Sequence, residues 1–396
     1  MITAEKEQLV DNYFNKLFIE ASPNREAFWE NLNGKHPDLA ATLHHRMDER
    51  TRENQQEIYF AKNANLDFGL GVAGLLADFY KKYLSWFALL QYPQPGRMLD
   101  IGCDNGILTC FYASLYPETE VIGIDINEAG ISCANALAQR LDLKNVKFIK
   151  MEFDEINDHF PKGYFDLVTS VRVMHEVMGT IASPKYWSLT EYLEMLPINS
   201  DPGFLEIIRW VLSEEGNYIF CERLENPAAV GQWANLLNLS GMHLNWDSSD
   251  FIEFHETGTH KKDPVMVAGK KNIKLSTLQG LRALYTRDLE MDFKNGGSYR
   301  SVAAELIFDE FEPKEFVLGK LLAFDSNWYK FRYEIWSTEE YYLVYASGNM
   351  GYRKLEILPT KSMEEAKEKL QELLDMYIQH GQVYDYSSLI ERGMLE

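Results

Sequence analysis

The stretch that most constrains this chain is Met98-Leu-Asp-Ile-Gly-Cys-Asp-Asn-Gly-Ile-Leu-Thr109. Met98, Leu99 and Ile101 around one acid read as a short buried strand. Gly102 to Gly106 read as a tight turn, and the apolar residues after it as the start of a helix. A second apolar strand, Val121-Ile-Gly-Ile-Asp125, also ends in an acid. Strand, glycine turn, helix and a second strand closing on a carboxylate make half of a nucleotide-binding βαβ site, in which the acid grips ribose hydroxyls. The glycine spacing narrows the ligand. A dinucleotide-binding turn places glycines at G-x-G-x-x-G, so that a helix N-terminus can approach a pyrophosphate. Here Cys103-Asp104-Asn105 separate Gly102 from Gly106, and a carboxylate at Asp104 sits badly beside phosphate. The turn suits a nucleoside ligand without phosphates.

The rest of the chain sets the frame for that site. Its 396 residues suffice for two or three domains, and 46% hydrophobic with 13% aromatic residues indicate a folded protein. No apolar run approaches the roughly 20 residues that cross a bilayer, and the polar start Met1-Ile-Thr-Ala-Glu-Lys-Glu lacks a signal core, so a cytoplasmic protein without membrane attachment is expected. Cys103, Cys110, Cys133 and Cys221 are scattered without a CxxC pair, which fits reduced, buried thiols, with no metal or disulfide site expected. The net charge of −21 repels phosphate backbones, and Lys261-Lys262 and Lys270-Lys271 are too short to form a basic patch, so no nucleic-acid partner is expected. The same acidity is compatible with a solubilising surface or with a basic peptide or protein partner.

Residues 1–92 read as a helical cap. Leu9, Val10, Tyr13, Phe14, Leu17 and Phe18 make an apolar helix face; Ser22 or Asn24 caps the next helix; Asp38 to Ala61 reads as one longer polar helix. The glycines of Phe68-Gly-Leu-Gly-Val-Ala-Gly74 mark either a hinge or close helix packing. After the turn Pro93-Gln-Pro95-Gly96, strands alternate with helices across 93–272, the pattern of a largely parallel sheet. Strands are expected at 97–101, 120–124, 146–150, 165–170, 216–222, 242–254 and 264–269, the last two as an antiparallel hairpin. The fold class is therefore α/β, a Rossmann-like doubly wound seven-stranded sheet with its last strand antiparallel. The long 176–202 connection carries Tyr186, Trp187, Leu189, Tyr192 and Leu193, and reads as a substrate cover or as a packed insertion. From 273 to 396 the pattern becomes an accessory α+β domain, with strand-like runs at 301–309, 314–323, 328–337, 340–347 and 352–358 and an amphipathic helix from Ser362 to Gln379.

Over about 97–271 the chain resembles the class I S-adenosylmethionine-dependent methyltransferases. Asp100-Ile-Gly102-Cys-Asp-Asn-Gly106 is similar to the family's D/E-x-G-x-G-x-G loop, departing where Asp104 replaces the middle glycine. Asp125 matches the acid that binds both ribose hydroxyls, which places Ile126 against adenine. In Phe148-Ile-Lys-Met-Glu152-Phe153-Asp154, Glu152 resembles the acid near the adenine amine, with Phe153 beside it; Asp154 reads equally as a helix-capping acid. Tyr164 to Ser170 resembles the fourth strand, Val173-Met-His175-Glu176 the segment after it, and Leu212-Ser-Glu-Glu-Gly216 the turn before the fifth strand, without its proline. The resemblance implies S-adenosyl-L-methionine as cofactor, held by Asp100, Gly102, Cys103, Asp104, Gly106, Asp125, Ile126, Glu152, Phe153 and Ser170. Asp104 would face the ligand's ammonium.

The expected chemistry is in-line methyl transfer to an O, N, C or S nucleophile of a small molecule. His175 is the candidate general base because imidazole titrates near neutrality, with pocket wall and structural hydrogen bonding as its other readings and Glu176 as the alternate base. The N-terminal helices and the 176–202 insertion are expected to roof the acceptor pocket, with Tyr13, Tyr186, Trp187 and Tyr192 against a planar acceptor. A homodimer is compatible with the chain. The competing readings are a peptide or protein methyltransferase and a non-catalytic S-adenosylmethionine-binding module.

Overall fold

The computed structural model describes residues 2–51, 54–90, 92–174, 177, 186–194, 203–224, 227–271, 275–325, 329–359 and 362–395. The chain forms two compact units. One comprises Met1–Thr180, Asp201–Glu225 and Ala234–Lys274; the other comprises Ile181–Ser200, Asn226–Trp233 and Leu275–Glu396.

The first unit begins with helices α1 (Ile2–Leu17), α2 (Arg25–Lys35), α3 (Pro37–Asp48), α4 (Gln55–Lys62), α5 (Leu66–Ala73) and α6 (Ala77–Leu89). α1 buries Val10, Tyr13, Phe14 and Leu17, the i, i+3, i+4, i+7 stripe of its sequence. Asn24 is the residue that caps α2, accepting from the Ala27 amide at 2.8 Å. The single helix expected from Asp38 to Ala61 is broken into α3 and α4. The Asn54 side chain accepts from the Thr51 amide at 2.8 Å and donates to the Glu49 carbonyl at 2.9 Å, a local alternative to the helical ladder. The glycine run through α5 follows the packing reading: a Cβ at Gly71 would stand 3.1 Å from Leu32 Cδ1, and one at Gly74 2.8 Å from the Glu20 carbonyl.

The sheet of this unit contains β1 (Arg97–Ile101), β2 (Glu120–Asp125), β3 (Val146–Lys150), β4 (Phe165–Val171), β5 (Leu212–Cys221), β6 (His243–Leu244), β7 (Asp250–Glu256) and β8 (Thr259–Gly269). Its order is β3-β2-β1-β4-β5-β8-β6, with β7 paired to β8. β1 to β5 run parallel, and β8 is antiparallel to β5. The sheet has eight strands where seven were expected, because 242–254 is not continuous. The Ser249 amide and hydroxyl both bond the Asn245 carbonyl, turning the chain between β6 and β7. α7 (Ile107–Leu115) follows β1, and α8 (Glu128–Arg140) follows β2, capped as expected by Asn127 on the Gly130 amide. Chain order reverses at β1 and β4, so the carboxyl ends of β1, β2 and β4 open onto the crevice where ligands of such sheets bind.

The second unit is built on an antiparallel sheet of β9 (Gly297–Arg300), β10 (Glu315–Phe324), β11 (Lys330–Ser337), β12 (Tyr342–Gly348), β13 (Arg353–Leu358) and β14 (Gly381–Tyr386), ordered β14-β10-β11-β12-β13-β9. The helix Met363–Asp375 lays Ala366, Leu370, Leu373 and Leu374 against Tyr333, Ile335 and Val344 of this sheet. The run expected as a strand at 301–309 is instead the helix Ser301–Glu310. It is short and buried over Val302 to Phe308 with no free face, a pattern that periodicity does not resolve, and the pair Ala303-Ala304 favours the helix.

Candidate functional site

A cavity of about 690 Å³ opens in the first unit at the carboxyl ends of β1, β2 and β4. Gly102, Cys103, Asp104, Asp125, Ile126, Glu152 and Phe153 all line it, brought together from three βα connections. The turn after β1 is held by its own backbone. Gly102 and Cys103 both donate their amides to the Ile124 carbonyl, at 2.8 and 3.0 Å, and Gly106 donates to the Cys103 carbonyl at 2.9 Å. Gly102 has φ +71° and Gly106 φ +78°, and a Cβ at Gly102 would stand 2.3 Å from Val173 Cγ2. Both glycines are required by conformation and by space, since a Cβ at Gly106 would stand 2.8 Å from Ala134 Cβ.

Asp104, where the related loops have glycine, keeps the glycine-like backbone with φ +48°. Asp tolerates this region better than most residues, at a cost of order 1–3 kcal/mol. The side chain is offset by partners from α4 and the residue after it. Asp104 Oδ2 lies 2.8 Å from Lys62 Nζ, and Oδ1 accepts from Asn63 Nδ2 at 2.6 Å. Burial works against the Lys62 charge, but Asp104 with Tyr80 and Tyr59 outweighs it and holds the ammonium above its ordinary pKa.

Asp125 fastens the loop from the other side. Its Oδ2 accepts from the Asp104 amide at 2.9 Å and its Oδ1 from the Asn127 amide at 2.8 Å. Burial raises its pKa, the two amides pull it down, and the Asp104 charge adds to the rise. Asp100 also lines the cavity but is deeply buried, accepting from Thr109 Oγ1 at 2.5 Å and Thr169 Oγ1 at 2.8 Å. Burial pushes its carboxyl up to about 6 against those two hydrogen bonds. Ile126, at 44% exposure, presents an apolar surface to the cavity with Phe153. Glu152 caps the short turn Phe153–Glu155, its carboxylate accepting from the Glu155 amide while Glu155 bonds the Glu152 amide at 2.9 Å.

Several expected site residues lie elsewhere. Tyr13 is a core residue: its ring meets Phe111 edge-on and its hydroxyl donates to the Ile107 carbonyl at 2.7 Å. Ser170 is buried against the Tyr218 hydroxyl at 2.7 Å and does not line the cavity. Tyr186, Trp187 and Tyr192 belong to the second unit and are held by its residues. Tyr186 donates its amide to the Asn349 carbonyl at 3.1 Å, Trp187 stacks 3.5 Å from the Arg332 guanidinium, and Tyr192 packs on Tyr186 and receives Gln232 Nε2. The described part of the insertion is therefore packed within the second unit. His175 and Glu176 lie outside the described residues.

The cavity also has walls that the sequence reading missed. The helical segment supplies Arg50, Gln56, Tyr59, Lys62 and Tyr80, and the ends of β4 and β5 supply Arg172 and Arg223. Arg172 donates to Glu256 Oε2 at 3.1 Å and Asp263 Oδ2 at 2.8 Å, with its guanidinium 3.9 Å from the Phe79 ring centroid. Behind this wall, buried Glu222 accepts from the Val173 and Met174 amides, at 3.1 and 3.0 Å, and so fixes the segment leading to His175. Arg172 could have been sought from the sequence, since it directly follows a strand already placed at the sheet's carboxyl edge.

Comparison with known proteins places the site in context. Residues 95–270 match the family described as "Methyltransferase domain". Human MTRF1L release factor glutamine methyltransferase is 26% identical over 165 residues, covering 39% of this chain and 47% of that protein. Malonyl-[acyl-carrier protein] O-methyltransferase of Legionella pneumophila is 27% identical over 214 residues, covering 51% of this chain and 63% of that protein. The chain thus spans about half to under two thirds of these relatives. A crystal structure of a SAM-dependent methyltransferase from Aquifex aeolicus aligns with 16% identity over 43% of this chain and 81% of its own, at a TM-score of 0.31. Among the described residues, no helix is long and apolar enough to cross a membrane.

Proposed function

We propose, for a chain whose residues 95–270 belong to the class I S-adenosylmethionine-dependent methyltransferases, that it methylates an O, N, C or S nucleophile of a small molecule bound in the β-sheet cavity. The observation that carries this reading is the cavity itself. Its 690 Å³ falls within the roughly 300–1,000 Å³ of small-ligand sites, and helical residues Tyr59, Leu76, Phe79 and Tyr80 close it with apolar and aromatic surface.

S-adenosylmethionine, when bound, supplies a methyl activated on a sulfonium. The donor set fits it. Asp125 keeps lone pairs on both oxygens after its two amide contacts and accepts from both ribose hydroxyls. Ile126 and Phe153 lie against the base, with Glu152 toward its amine. The Lys62–Asp104 pair offers one charge of each sign to a zwitterionic amino-acid tail, with Gly102 and Cys103 giving it room at the backbone. His175, with Glu176 as alternate, takes the acceptor's proton. Beyond that, the protein's task is to align the nucleophile and exclude water, which supplies roughly 7–11 kcal/mol.

One observation favours a second reading. The human relative's name makes it a methyltransferase of a protein side chain, so a peptide or protein acceptor is the alternative. An acceptor screen that measures S-adenosylhomocysteine release separates the two. Release with a small molecule alone supports the first, and release only with protein or peptide pools overturns it.

A further inference from the structure

The chain is strongly acidic, at −21, yet its cavity wall carries three arginines. Long-range attraction cannot gather an anion to such a protein, so cations at the cavity act locally. Their commitments differ. Lys62 is matched by Asp104 in the glycine loop. Arg172 is 8% exposed and bridges Glu256 and Asp263, but its Nε is buried with no hydrogen-bond partner. Arg223, exposed at the end of β5, and Arg50 have no carboxylate partner among the described residues. The half-buried Tyr80 hydroxyl lies in the field of Lys62, Arg172 and Arg223, which oppose the rise that burial gives its pKa.

A guanidinium stays charged at all accessible pH values, and its planar fork matches a carboxylate in two parallel hydrogen bonds. The cavity also holds Asp100, Asp104, Asp125, Glu152 and Asp154, so a doubly charged ligand would meet about twice the repulsion that a singly charged one meets. Tyr59 and Tyr80 provide ring surface beside these donors. We infer that the methyl acceptor is a planar monocarboxylate, its carboxylate held by Arg223 with Tyr80 and its ring against the aromatic wall. This inference rests on the methyltransferase reading, but it makes Arg223 an acceptor residue and leaves the cofactor's own carboxylate to Lys62.

The test is calorimetric titration of the full chain with S-adenosylhomocysteine, and then of the loaded protein with benzoate, benzamide and phenyl phosphate. Benzoate is expected to bind about tenfold tighter than its neutral isostere benzamide, and tighter than phenyl phosphate. Arg223→Gln should abolish the preference for benzoate while leaving S-adenosylhomocysteine affinity within about twofold; Tyr80→Phe should reduce that preference in a protein of unchanged melting temperature. Equal binding of benzoate and benzamide, no binding of either, or tighter binding of phenyl phosphate overturns the inference. So does an Arg223→Gln protein that loses S-adenosylhomocysteine but keeps the benzoate preference, since Arg223 would then serve the cofactor. If the parent protein fails to bind S-adenosylhomocysteine, the cofactor reading falls by itself. The benzoate preference of the unloaded chain then decides the carboxylate site separately.

Discussion

Lys62 Nζ stands 2.8 Å from Asp104 Oδ2, joining the helical segment before the sheet to the turn that replaces a family glycine with an acid. Asn63 adds a second bond to the same carboxylate at 2.6 Å. The pair explains how a non-glycine residue persists at φ +48°: the backbone cost is met by side-chain bonds that a glycine could not make. Lys62→Ala should destabilise the protein by about 1–3 kcal/mol, because a partly buried carboxylate loses its partner. In combination with Asp104→Gly the loss should be smaller than the sum of the two single losses. A double-mutant cycle by urea denaturation checks this, and additive effects would remove the coupling.

Glu222 is expected to matter for turnover. Its carboxylate holds the amides of Val173 and Met174, immediately before His175. Glu222→Ala leaves two amides without their acceptor, at a cost of about 1–3 kcal/mol each, and frees the segment. Glu222→Gln keeps an acceptor oxygen and should retain most activity. Once an acceptor is in hand, kcat should fall further in the alanine variant than in the glutamine variant. Equal rates would mean that the segment is held by other contacts.

Asp100 makes stability depend on pH in a defined sense. Its folded-state value is about 6, above the ordinary 3.8, with burial as the first cause. Between these values the folded chain holds a proton that the unfolded chain has released. The favourable contribution is therefore complete below about pH 4 and is lost as pH rises through about 6. The gap corresponds to a few kcal/mol at most, on the order of 3. Asp100→Asn should be more stable than the parent above pH 6, and the advantage should vanish near pH 4. Denaturation curves at pH 4, 5, 6 and 7 measure it; a difference independent of pH would contradict the assignment.

The second unit depends on a buried pair of its own. Arg353 Nε donates to Glu305 Oε2 at 2.6 Å, and its other nitrogens reach the carbonyls of Gly348, Tyr352 and Trp187. Arg353→Met strands Glu305 in the interior and should cost about 3–5 kcal/mol. Adding Glu305→Gln should recover part of that loss. Chemical denaturation followed by tryptophan fluorescence is the readout, and a loss below about 1 kcal/mol would show the pair to be dispensable.

How much was legible beforehand follows from where the information lay. The parallel strands, the Gly102–Gly106 turn and Asp125 are local patterns, and the structure keeps all of them. Asn54's side-chain turn split the expected 38–61 helix, because a competing local hydrogen bond leaves little trace in hydrophobic periodicity. The 301–309 run failed for the opposite reason, being buried on nearly every side with no clear period. Tyr13 was already on the apolar face of α1, and that pattern was a better guide than its aromatic ring. Lys62 was out of reach, and Arg172 was open to the sequence only by its place after β4: each acquires its role through distant partners, Asp104 for one and the β7–β8 acids Glu256 and Asp263 for the other.

Asp125 is where the cofactor reading stands or falls, since it is the acid assigned to both ribose hydroxyls. The most direct measurement is calorimetric titration of S-adenosylhomocysteine into the parent protein and into Asp125→Ala, with melting curves to confirm that both are folded. The expected result is saturable binding by the parent and a loss of about tenfold or more in the variant, about 1.4 kcal/mol per tenfold step. Equal affinity in two folded proteins would contradict the placement of the ligand at the end of β2.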